Sequence, residues 1–126
     1  MVEDQSRSGQ SEPGSAYLMA APGRTRLVLS GEIDVALSAE LTEAITEAER
    51  STDPIEVDAR HVTFMDSSGV ALLARLAHRS PHRLTIIKPP DVVRFLLEIT
   101  RLGDLITIVD EDPGFPGAER VAGDIA

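Results

Sequence analysis

Cysteine is absent from the chain, which rules out disulfides, thiolate metal sites and a thiol nucleophile. Tryptophan is absent as well, and aromatics make up only 3% of the residues, so any core must be built from Val, Ile, Leu and Ala. No apolar run approaches the roughly 18 residues needed to span a membrane, and the polar opening MVEDQSRSGQ is not a signal peptide. The expected location is the cytoplasm, with no membrane partner. Basic patches and aromatic platforms are missing too, which makes direct contact with nucleic acid a poor expectation. No internal repeat is found.

What is present suits one domain. The chain has 126 residues, 42% of them hydrophobic, about the size of one domain with a single core. Its net charge of −9 is uneven. Residues 1–15 carry three acids against one base, and residues 110–126 five acids against one base. Both ends are rich in Gly, Pro and Ser and lack periodic apolar residues, the composition of solvated chain. The expected organisation is a disordered N-terminal segment over 1–15, a domain over 16–109 and a flexible acidic tail over 110–126.

Between the ends, AYLMA and TRLVLSG read as strands separated by Pro22-Gly23, a pair suited to a type II turn. ALSAELTEAITEAERS follows with Leu37, Leu41, Ala44, Ile45 and Ala48 at helical spacing. Either Ser38 or Asp34 is suited to start that helix. IEVDA is a short strand, VTFM begins another, and SSGVALLARLAH is helical. HRLTIIK, VVRFLLEITRL and LITIV then alternate as strand, helix and strand, with Gly103 placed to stop the helix. The expected fold is α/β: a small mixed sheet of about five strands with helices packed on it, in the order ββαβαβαβ.

The stretch that invites a functional reading is Met65-Asp66-Ser67-Ser68-Gly69, where a strand passes into a helix. Ligands of open α/β sheets lie beyond the carboxyl ends of strands, in such loops. Asp and Ser are also among the best N-cap residues, so helix capping alone is one reading. Against it, three capping-competent residues stand in a row where one suffices. Gly69 costs about 1 kcal/mol relative to Ala in a helix, and without a side chain it leaves the backbone open to a partner. Val70 and Ala71 stand where a capping box would need Glu or Gln.

Catalytic readings find less support. The loop is not a Gly-x-Ser-x-Gly elbow, and His61, His78 and His82 are expected at the surface, with no base among them and no metal cluster. There is no phosphate-binding glycine loop. No enzyme activity, metal or cofactor is expected.

Three quoted stretches, LVLSGEIDVALSAELTEAI, IEVDARHVTFMDSSGVALLARLAH and LTIIKPPDVVRFLLEITRLGDLITI, resemble the anti-sigma factor antagonist family, the bacterial STAS domain. The resemblance runs from about Tyr17 to Val109, and its most specific parts are GEID, DSSG and LGDLITI. It implies a single STAS-like domain that binds an anti-sigma factor, itself an ATP-dependent serine kinase, and so releases a sigma factor. The kinase then phosphorylates the first serine after the Asp, which is Ser67 here, with Ser68 the lesser alternative, and a serine phosphatase reverses the mark. The implied partner-binding residues are Glu32, Asp34, Asp66, Ser67, Ser68 and Gly69. A non-phosphorylated STAS scaffold, or a transporter-associated STAS subunit, is the alternative within the same resemblance.

Overall fold

Strands β1 (Ser15–Ala21) and β2 (Arg24–Ile33) form an antiparallel hairpin in which Ala21 pairs with Arg24. The two-residue connection is Pro22-Gly23, and Gly23 has φ of 74°, as the third position of a type II turn requires. In the computed structural model the described residues are 12–117 and 119–123.

Asp34 starts the next helical segment. Its carboxylate accepts from the Ala36 N–H at 3.1 Å and caps a 3₁₀ turn, Val35–Leu37, that runs into helix α1 (Ser38–Glu49). Ser38 is already helical and closes the 3₁₀ turn with its N–H on the Val35 carbonyl, while its side chain does not cap α1. Leu41, Ala44, Ile45 and Ala48 are buried, the single face that their spacing implies.

Strand β3 (Ile55–Met65) joins what reads as two strands, IEVDA and VTFM, into one of 11 residues. Helix α2 (Ser67–Arg79), strand β4 (Leu84–Ile87), helix α3 (Asp91–Ile99) and strand β5 (Ile106–Val109) follow. The order ββαβαβαβ is therefore present as expected. Gly103 does not stop α3, however. The left-handed residue after that helix is Arg101, with φ of 65°, and Gly103 lies inside a 3₁₀ turn, Leu102–Asp104.

The sheet order is β5-β4-β3-β2-β1-β6, with β2 to β5 mutually parallel and β1 antiparallel to β2. Side chains of a strand alternate between faces. Leu27, Leu29, Val57, Ala59 and Ile86 are buried in the main core, while Arg24, Arg26, Glu56, Asp58 and Arg60 alternate with them on the opposite, polar face.

Within the stretch 110–126, expected as a flexible tail, the described residues include a strand, β6 (Glu119–Gly123). It pairs with β1, and Asp112 ahead of it reaches Arg26 at 3.0 Å and Arg60 at 3.1 Å. The physical reason is charge. Arginines on the polar face need counter-ions, which the Gly, Pro and acid composition of 110–117 conceals. The expected disorder over 1–15 falls mainly on residues outside the described ones. Residues 12–15 are held against β2: the Glu12 carbonyl accepts from the Glu32 N–H at 3.0 Å, and the Ser15 and Ser30 hydroxyls are 2.7 Å apart.

Candidate functional site

Parallel pairing brings two loops to one place. The last register pair of β2 and β3 is Ile33 with Met65, so the strands run out side by side. Asp34 follows the first and Asp66 the second. The Asp66 N–H donates to the Ile33 carbonyl at 3.1 Å, tying the two loops where they begin.

Asp66 caps α2. One carboxylate oxygen accepts from the Ser68 N–H at 2.9 Å, the Ser68 hydroxyl at 2.6 Å and the Gly69 N–H at 3.4 Å. These bonds stabilise the ionised form. The Ser68 hydroxyl is the largest cause holding the carboxyl below the usual carboxylate range, against an opposing effect of desolvation. The N–H groups of Ser68, Gly69 and Val35 act in the same direction as the hydroxyl. Val35 belongs to the other loop, so Asp66 binds both.

The two serines are not equivalent. Ser68 is half-buried and its hydroxyl is committed to Asp66. Ser67, the first residue of α2, is exposed, and among the described residues its hydroxyl makes no hydrogen bond. The helix is capped without it.

Gly69 corrects one expectation. It is buried, and a Cβ built on it would lie 2.9 Å from Met65 Cγ, 3.0 Å from Ile33 Cγ2 and 3.2 Å from the Ile33 carbonyl oxygen. Its bare backbone therefore lets α2 approach the ends of β2 and β3, and it faces the interior instead of a partner. Glu32, Asp34, Asp66, Ser67 and Ser68 do come together around the two loops. Glu32 and Asp34, with Pro13, Gly14 and Leu37, also line a cavity of about 240 Å³.

Two apolar residues escaped the sequence reading. Val35 is 73% exposed and Phe64 45% exposed. Val35 follows Asp34, while Phe64 stands opposite Glu32 in the register. They place apolar surface beside the two acidic loops. The only signal in the sequence was an apolar residue placed next to a turn. The three histidines are exposed, and His82 Nε2 lies 3.0 Å from the Thr52 carbonyl. Among the described residues, no group of three or more His, Cys, Asp or Glu is placed to hold a metal ion, and no helix is long and apolar enough to cross a membrane.

The family model described as "Mlab, STAS domain" matches residues 18–109. The chain belongs to the STAS domain family. Among solved structures, an anti-sigma factor antagonist from Mycobacterium paratuberculosis superimposes with a TM-score of 0.71 at 21% identity, covering 80% of this chain and 91% of that one. The anti-sigma factor antagonist SpoIIAA in its unphosphorylated form gives 0.62 at 25% identity, covering 76% and 89%. The Bacillus cell fate determinant SpoIIAA in its phosphorylated form gives 0.55 at 24%, covering 76% and 92%. No curated protein sequence matches the chain. The matched range of the STAS domain ends at residue 109, so the segment crossing the polar face and β6 lie beyond it.

Proposed function

We propose that this STAS domain is an anti-sigma factor antagonist that works by partner switching in the cytoplasm. Unphosphorylated, it binds an anti-sigma factor serine kinase through Glu32, Asp34, Asp66, Ser67 and Ser68, with Val35 and Phe64 as apolar anchors, and a sigma factor is released. The kinase transfers the γ-phosphoryl group of ATP to the Ser67 oxygen, with loss of the hydroxyl proton and formation of ADP, and the complex dissociates. A serine phosphatase restores the hydroxyl. The chain contacts neither nucleic acid nor membrane directly and supplies no catalysis of its own.

One observation carries the reading: at the start of α2 the cap is Asp66, Ser68 is tied to it, and Ser67 is left exposed with a hydroxyl that no described residue bonds. Ser67 can therefore be modified without removing the cap. A phosphate brings about −1.5 to −2 charges and three acceptor oxygens, and at a helix N-terminus it meets the positive end of the dipole. The isolated domain accommodates it, whereas a partner surface fitted to a neutral hydroxyl beside Asp66 and Asp34 does not. A loss of about 3 kcal/mol lowers affinity by about 150-fold, enough for a switch. The two SpoIIAA structures, one in each phosphorylation state, are consistent with such a cycle.

The test is mass spectrometry of the chain after incubation with ATP and candidate anti-sigma kinases from the same source, beside Ser67→Ala. The expected result is one added phosphate, mapped to Ser67 and absent from the variant, whose melting temperature matches the wild type. A phosphate on Ser68 would overturn the assignment. Stable complexes without any phosphate would favour a non-phosphorylated or transporter-associated STAS subunit.

A further inference from the structure

The sheet order places β5 at one edge and β6 at the other, so the chain between them crosses the full width of the sheet. At about 4.8 Å per strand the crossing is about 24 Å. The ten residue steps from Val109 to Glu119 reach at most about 33–36 Å, so the connection spans the sheet with about 10 Å to spare, room for the left-handed turns at Gly114 and Gly117. It crosses the polar face, opposite the main core.

Its attachments are mainly polar, beginning with Asp110, whose carboxylate accepts from Arg94 at 2.6 Å. The Asp112 carboxylate bridges Arg26 at 3.0 Å and Arg60 at 3.1 Å, and accepts from the Gly114 N–H at 2.8 Å. The Gly114 carbonyl accepts from Arg24 at 2.9 Å and from Arg26 at 3.4 Å. The Phe115 ring lies 4.7 Å from the Arg24 guanidinium and 4.8 Å from that of Arg26, within cation–π range. Beyond them, β6 is held to β1 by four register pairs interrupted by an irregularity.

Charge explains why Asp112 is the centre. On the sheet itself, Arg24, Arg26 and Arg60 face two carboxylates, Glu56 and Asp58. Arg26 is only 4% exposed, so its charge needs nearby partners. Asp112 makes the cluster neutral, three against three. The rest of the crossing is Pro, Gly and acidic residues, with little apolar surface to bury, and segments so attached open before the core does.

We propose that residues 110–123 form a latch, keyed by Asp112 on Arg26 and Arg60, that opens and closes as one unit independently of the rest of the STAS domain. Closed, it covers the polar face and the edge of β1. Open, it uncovers three arginines with two carboxylates and frees the β1 edge, an exposed strand template. The latch acts at the sheet face and the β1 edge, whereas Ser67 lies at the carboxyl end of β3, and it does not depend on the partner-switching proposal.

The test is amide hydrogen exchange on the full-length chain, with Asp112→Asn and Phe115→Leu compared to wild type. Asp112→Asn should speed exchange in β6 and along β1 by about tenfold or more, equivalent to at least about 1.4 kcal/mol, while α2 and the Asp66 to Gly69 loop exchange at the wild-type rate. Phe115→Leu, which keeps every charge, should give a smaller acceleration of the same amides. Unchanged β6 exchange in both variants would overturn the proposal. So would acceleration of all elements together, which would make the segment part of the global fold instead of a separate unit.

Discussion

Gly69→Ala separates two meanings of the same glycine. If its bare backbone served a partner, the added methyl would strengthen α2 and harm only binding. Alanine in place of glycine gains up to about 1 kcal/mol in a helix interior, and less in a first turn. The structure sets a larger cost against that gain. The new Cβ would sit 2.9 Å from Met65 Cγ, 3.0 Å from Ile33 Cγ2 and 3.2 Å from the Ile33 carbonyl oxygen. Met65 can turn aside, but Ile33 is fully buried and its carbonyl is fixed by the Asp66 N–H. Overpacking of this sort costs about 1–3 kcal/mol. The net expectation is a loss of about 1 kcal/mol, seen as a melting temperature lowered by about 4 °C and a urea midpoint lowered by about 0.5 M. Both are read on the isolated chain, with no partner present. A variant as stable as the wild type, or more stable, would refute the packing account and return Gly69 to the partner-facing surface.

Other consequences follow from the charged groups. Arg26→Met leaves Glu56 and Asp58, with side chains 14% and 6% exposed, short of their shared cation, and should cost about 3 kcal/mol in chemical denaturation; a loss well under 1 kcal/mol would mean that Arg24 and Arg60 compensate. The pH dependence should be acid-sensitive. Burial raises the Asp58 carboxyl, but the hydrogen bonds of Arg60 and the charges of Arg60 and Arg26 outweigh it, so the net shift is downward. The Asp112 carboxyl is lowered first by Arg26, and that of Asp66 first by the Ser68 hydroxyl. A carboxyl lowered in the folded state contributes stability that is complete above the usual value, near 4, and is lost as pH falls through the lowered one. The melting temperature should therefore be flat from neutrality to about pH 5 and decline below about pH 4, with a shallower decline in Asp112→Asn. A melting temperature that rises on acidification would contradict the assignment.

Much of the architecture was legible in local patterns, because helices and strands here carry their periods openly. Leu41, Ala44, Ile45 and Ala48 form one helix face by spacing alone, and they are buried.

 Asp34 and Ser38 could not be told apart as helix starts, since both are good caps and only the 3₁₀ turn Val35–Leu37 decides between them. Gly69 was misread for a similar reason: the space around a glycine depends on Ile33 and Met65, which parallel pairing delivers from elsewhere in the chain. The latch was hidden most deeply. Its own residues look like solvated chain, and the cue lay in other segments, where charged residues alternate with uncharged ones in Arg24-Thr25-Arg26-Leu27 and Glu56-Val57-Asp58-Ala59-Arg60. That alternation marks a sheet face loaded with charge, and a face of that kind calls for a covering partner.

Strand β3 carries both features, at different depths of support. Around Glu56 to Asp58 it is paired on both sides, to β2 and to β4, and there it holds the arginine cluster. From His61 to Met65 its register pairs are with β2 alone. The Asp66 loop is thus carried by a two-stranded projection and by the cap and packing of α2. The hydrogen bonds that fix this end run through backbone groups and through the Asp66 and Ser68 side chains; none uses the Ser67 hydroxyl among the described residues. A change at that oxygen therefore leaves the domain's own bonds in place, and its energetic consequence falls on whatever surface lies against the loop. That division is what a binding switch requires: a modification that costs the free domain little and the complex much.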